Sequence, residues 1–111
     1  MEASRRIERE VGSWDGVTVE PHRFGGIEFR LGRRELGHLH GDSLADLPFP
    51  RRIAGMLVET GRAERHRWLP GSGWVSRPIR TEADVAEAIE LFRLAYERAR
   101  VAAAIRAARD G

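Results

Sequence analysis

The 111-residue chain has no cysteine, no lysine and no long apolar run. Without cysteine there is no disulfide framework, no thiolate metal ligand and no cysteine nucleophile, which suits a cytoplasmic protein. No stretch approaches the roughly 18 apolar residues that span a bilayer, and the opening Met1-Glu2-Ala3-Ser4-Arg5-Arg6 has no signal-peptide core. A membrane partner is therefore not expected. All 19 basic residues are arginine, so the sequence pI of 10.3 reflects late titration, and the formal net charge is only +2. A phosphate-binding surface usually carries a larger positive excess, which argues against a nucleic-acid partner. There is no internal repeat and no low-complexity linker, so residues 1–111 read as one domain large enough for a modest core.

The most informative stretch is Gly26-Ile27-Glu28-Phe29-Arg30-Leu31, then Gly32-Arg33, then Arg34-Glu35-Leu36-Gly37-His38-Leu39-His40. Two alternating runs around a two-residue turn containing glycine predict a β-hairpin. With Leu31 paired to Arg34, strict alternation sets Phe29 opposite Leu36, Ile27 opposite His38 and Arg30 opposite Glu35. An Arg30–Glu35 cross-strand pair is worth up to about 1 kcal/mol. That register sends His38 and His40 to the apolar, covered face beside Ile27, Phe29, Leu31 and Leu36.

Around the hairpin, Ser4 reads as the N-cap of a helix to about Val11, with Ile7, Val11 and Trp14 on its buried side. Val17-Thr18-Val19-Glu20 is a strand ended by Pro21, and His22 reads as a solvated turn residue. Asp42 to Leu47 reads as a polar-flanked connector. Pro50 opens a helix to Thr60, with Ile53, Met56 and Leu57 inward and Gly61 as its stop. Residues 63–68 alternate, putting Glu64, His66 and Trp68 on one face, and Trp74 to Ile79 return as a strand that Pro78 ends near a sheet edge. Thr81 caps a final helix whose Val85, Ile89, Phe92, Tyr96 and Ala99 face the sheet; residues 101–111 continue it as a fraying tail. The order α-β-β-β-α-β-β-α predicts an α+β fold: an antiparallel sheet of about five strands with helices on one face.

Three chemistries fit these residues. A partly buried histidine is a plausible base, because desolvation favours its neutral form. In the second reading the histidines are satisfied core groups bonded to backbone. In the third, an H-x-H pair with His66 ligates a metal, with Glu64 or His22 completing the set. Arg34, Glu35 and Asp42 read as surface charges, Asp42 with the option of orienting His40.

The run Arg34-Glu35-Leu36-Gly37-His38-Leu39-His40 resembles the signature of the luciferase-domain family, which holds fungal luciferases and many small bacterial proteins. Leu47-Pro48-Phe49-Pro50, His66 followed by Pro70, Gly73-Trp74-Val75 and the closing helix through Tyr96 extend the likeness over about Val17 to Arg100. The resemblance implies oxygenation of a hydroxylated styryl-pyrone by molecular oxygen, without a dedicated metal or flavin, through a peroxide that loses carbon dioxide. It carries His38, His40 and His66 over as catalytic candidates and implies no cofactor; the same likeness implies that His38 or His40 deprotonates an acidic hydroxyl, His66 or Arg77 steadies the oxyanion, and Phe29, Trp68 and Trp74 stack on a flat ring. The chain differs from the fungal pattern in being shorter, in lacking their N-terminal membrane segment and in its shorter connector after H-x-H. A shared domain supports a shared pocket more strongly than a shared substrate. The element order also resembles the YjbR-like α+β fold, which gives an alternative: a non-catalytic module binding nucleic acid or protein through its arginines. A homodimer through the edge near Pro78 or the alanine-rich last helix completes the expectations.

Overall fold

The computed structural model describes residues 2–22 and 25–111. The elements run α1 (Ala3–Gly12), β1 (Val17–Pro21), β2 (Ile27–Leu31), β3 (Arg34–His40), β4 (Leu44–Pro48), α2 (Arg51–Glu59), β5 (Glu64–Arg65), β6 (Trp74–Pro78) and α3 (Glu82–Asp110). The six strands form one antiparallel sheet in the order β1-β2-β3-β4-β6-β5. The α+β architecture with helices on one face is as the periodicities imply. The additional strand is β4: Leu44-Ala45-Asp46-Leu47-Pro48 is no connector but pairs with both β3 and β6.

The hairpin starts as expected, with Leu31 opposite Arg34 and Arg30 opposite Glu35 across the Gly32-Arg33 turn. The register then slips by one: Phe29 faces Gly37 rather than Leu36, and Glu28 faces His38. Leu36 is the extra residue of a β-bulge, and Gly37 is the reason it forms there. Gly37 has φ 153°, and a Cβ on it would lie 2.8 Å from both the Asp46 carbonyl oxygen and the Phe92 ring. Only glycine fits that backbone beside that helix. Past the bulge the alternation is inverted. Leu36 and Leu39 enter the core, while His38 and His40 turn to the opposite face. The histidines do not lie between sheet and helices, as strict alternation requires.

The covered face carries Val19, Phe29, Leu36, Leu39, Ala45, Leu47 and Val75 beneath the helices. From α3, Val85, Ala88, Leu91, Phe92, Ala95, Tyr96 and Ala99 pack down, and Phe92 meets Phe29 edge-on with centroids 5.0 Å apart. A capping box of Thr81 and Asp84 starts this helix. It runs 29 residues to Asp110, so the tail is helical, though nothing after Ala99 is buried. Ile7 and Val11 of α1 join the same core. Ser4 does not cap α1: its N–H, one of the helix's orphan donors, donates to the Asp42 carboxylate at 2.8 Å across the molecule. Asp42 is thereby committed away from His40. Met56 on α2 points outward, 55% exposed, while Ala54 and Leu57 fill the core. Tyr96 is buried with its hydroxyl donating to the Asp15 carbonyl at 2.6 Å, tying α3 to the turn before β1. No helix among the described residues is long and apolar enough to cross a membrane.

Candidate functional site

Among the described residues no helix covers the other face of the sheet, and there the polar positions of four strands meet. Cross-strand pairing lines up Glu28, His38, Asp46 and Ser76 in one row on β2, β3, β4 and β6. His40 and Trp74 sit one pleat away on the same side. The segment after β5 brings His66, Trp68 and Leu69 over the row, and His22 leans in from the end of β1. All of these but Ser76 line a hollow of about 810 Å³. A second recess of about 460 Å³ continues beyond His66 and Trp68.

Asp46 is the hub. It is 3% exposed in the middle of the sheet, where an unpartnered carboxylate would be costly. Ser76 donates its hydroxyl to Oδ1 at 2.6 Å. Three imidazoles aim at Oδ2: His40 Nε2 at 2.9 Å, His38 Nε2 at 3.4 Å and His66 Nε2 at 3.5 Å. His38 is held from the other side by Glu35, whose Oε2 lies 2.6 Å from Nδ1. His66 accepts the backbone N–H of Trp68 on Nδ1 at 3.2 Å, which fixes the proton of its neutral ring on Nε2. His22 stacks on His38 with centroids 4.0 Å apart, His40 meets His38 edge-on at 4.8 Å, and Trp74 tilts over His38 at 5.4 Å.

These contacts set the charges. Burial pulls the His38 pKa down, but its hydrogen bonds to Asp46 and Glu35 outweigh that and raise it to about 9. Burial alone predicts a neutral His38; the two carboxylates reverse the sign. Burial likewise pushes Asp46 up, and hydrogen bonds from His38, Ser76 and His40 overcome it, leaving the pKa at about 2. His22 is lowered, first by burial and then by the neighbouring His38.

The structure gathers His38, His40 and His66 around one carboxylate and puts Trp68 and Trp74 on the walls of the hollow. Trp68 is 74% exposed, at the rim. Phe29 and Arg77 go elsewhere. Phe29 is fully buried on the helix side, packed on Phe92. Arg77 shares that side with Ala45, its cross-strand neighbour, and binds the Asp84 carboxylate and the Arg62 carbonyl. Neither reaches the hollow. Glu64 pairs opposite Ser76 but is exposed. Sequence reasoning missed Asp46 and understated Glu35 and His22. The signal for Asp46 was its alternation with Ala45 and Leu47, the mark of a strand with a carboxylate on its other face. Glu35 leaves Arg30 to Glu28, at 2.6 Å, and turns to His38 instead.

Residues 33–95, more than half of the chain, match the family model described as Luciferase domain. The matched span contains the bulge, Asp46, and three of the four histidines of the hollow. No curated protein and no solved structure matches the chain significantly.

Proposed function

The chain belongs to the luciferase-domain family, and from that premise we propose that the uncovered face of its sheet binds a small, flat aromatic or enolic molecule and ionises its acidic hydroxyl. The observation that carries this reading is the meeting of three imidazole nitrogens and one buried carboxylate on the floor of an aromatic-walled hollow. A flat ring fits against Trp74 with Trp68 and Leu69 at its edge, since indole faces contribute stacking as well as area.

The hydrogen bonds divide the labour among the histidines. Both nitrogens of His38 face carboxylates, so His38 is not the base. His40 is half-exposed, and Nε2–H donating to Asp46 leaves Nδ1 as its proton acceptor. His66 keeps a proton on Nε2, 3.5 Å from Asp46, too distant for a strong bond and available to an oxyanion. The fitting reaction class is oxygenation. The enolate carbon gives two electrons to molecular oxygen, one C–O bond forms, and the distal peroxide oxygen takes back the proton from His40. Among the described residues no comparable feature favours nucleic acid, a protein partner or a second copy of the chain.

The test is a titration of chelator-treated protein with a hydroxylated 2-pyrone, followed by its absorbance and by oxygen uptake. The bound probe should show the spectrum of its ionised form at pH 7, and oxygen should be consumed. Trp74→Ala should weaken binding about tenfold, ~1.4 kcal/mol, and His40→Gln should abolish ionisation with binding retained. Unchanged ionisation in His40→Gln, or no binding at millimolar probe, contradicts the reading.

A further inference from the structure

We propose that His38 Nε2, His40 Nε2 and Asp46 Oδ2 form a facial binding site for a divalent first-row transition metal, with its remaining coordination positions open to the hollow. The ligand atoms of these three side chains all lie within 4.8 Å of one another. Ligands about 2.1 Å from a metal and at right angles stand about 3 Å apart. Asp46 Oδ2 is 2.9 Å from His40 Nε2 and 3.4 Å from His38 Nε2, close to that spacing. Two histidines and one carboxylate on one side of an ion, with open positions opposite, suit ferrous iron and its divalent neighbours rather than magnesium or calcium, which prefer all-oxygen shells.

The outer contacts are those that metal ligands need. His38 donates its Nδ1–H to Glu35 at 2.6 Å, so an entering ion displaces the other proton, on the Nε2 that faces Asp46, and takes up the lone pair there. Ser76 occupies Asp46 Oδ1 at 2.6 Å, so Oδ2, on which the His38 and His40 nitrogens converge, is the oxygen placed to ligate. His66 stands outside the set, although its nitrogen points at the same oxygen. Its Nδ1 is taken by the Trp68 N–H, so its Nε2 carries a proton and has no lone pair to offer. His22 and Glu35 flank the far nitrogen of His38 and form a second, alternative group there. The Nδ1 proton bound to Glu35 places the ion on the Nε2 side instead.

The ion site stands independently of the pyrone reading but deepens it. An ionised hydroxyl of the ligand would fill an open position, and His40 would then turn its Nε2 lone pair from Asp46 to the ion, giving up its part as base. The two ideas fail separately, because the pyrone titration is done with chelator present.

The test is an anaerobic titration of the untagged, chelator-stripped chain with Co(II), read by visible absorbance and calorimetry, repeated with Fe(II). One ion per chain should bind with a Kd of micromolar or tighter, unaffected by millimolar Mg(II). His38→Ala and His40→Gln should each weaken binding at least about a hundredfold, and Glu35→Gln about tenfold. His22→Ala and His66→Ala should stay within about threefold of the parent. The half-exposed His40→Gln, checked for folding by circular dichroism, decides the matter if His38→Ala fails to fold. A parent Kd of millimolar or weaker, binding retained in His40→Gln, or losses in His66→Ala equal to those in His40→Gln would overturn the proposal.

Discussion

Asp46 is the residue on which the hollow depends, because its one charge orients three rings from different segments: two from β3 and one from the segment after β5. A buried carboxylate is tolerable only when its lone pairs are all engaged, and Ser76, His38 and His40 engage them. The pKa values of His38 and Asp46 are two views of the same interaction. With His38 at about 9 in the folded chain and 6.5 when unfolded, the folded state holds an extra proton between those values. That stabilisation is complete below pH 6.5 and is lost as pH rises through 9. Asp46, at about 2 folded against 3.8 unfolded, stabilises above pH 3.8 and stops doing so as pH falls towards 2. In chelator-treated protein the His38 ring protons should therefore titrate by NMR with a midpoint near 9, and Asp46→Asn should bring the midpoint back towards 6.5. A His38 midpoint at or below 6.5 in the parent chain would contradict the carboxylate-flanked geometry.

At the scale of elements, the bulge on β3 decides what the site is. Residues 34–40 alternate cleanly on paper, and alternation alone places His38 and His40 in the core. One added residue at Leu36 inverts every side chain beyond it. The sequence does carry the warning, an isolated glycine within a strand pattern, since Gly37 is where an L side chain would meet Phe92 and the β4 backbone. Gly37→Ala should cost about 2–4 kcal/mol, from overpacking and left-handed backbone strain together. Chemical denaturation followed by tryptophan fluorescence measures this; a loss under about 0.5 kcal/mol would mean that the strand relaxes and that the bulge does not need glycine. The neighbouring β4 was hidden for a different reason. Its Asp46 reads as loop polarity until the partner imidazoles are in view, because a carboxylate in a strand is intelligible only with what neutralises it.

Across the whole molecule, one face of the sheet is packed beneath the helices and the other carries the polar hollow. The helix side was legible in the sequence: Ile7 and Val11 on α1, Val85 to Ala99 on α3 and the Thr81 cap follow from helical period and capping alone. Convergence of His38, His40 and His66 was also legible, through the H-x-H spacing and the family likeness. What was not legible is long-range. His66 belongs to no extended strand, since β5 ends at Arg65, and it reaches Asp46 because its segment folds back over the sheet. His22 reaches His38 from the end of β1 in the same way. Phe29 and Arg77 were drawn into the expected site by residue type, and packing against Phe92 and pairing with Asp84 take them out of it. Whether ligands act on the uncovered face is read from backbone and imidazole chemical-shift mapping of the chain titrated with a hydroxylated 2-pyrone. Saturable shifts confined to His22, His38, His40, Asp46, His66 and Trp74 are predicted; shifts centred on α2 or α3, or none at millimolar probe, would contradict it.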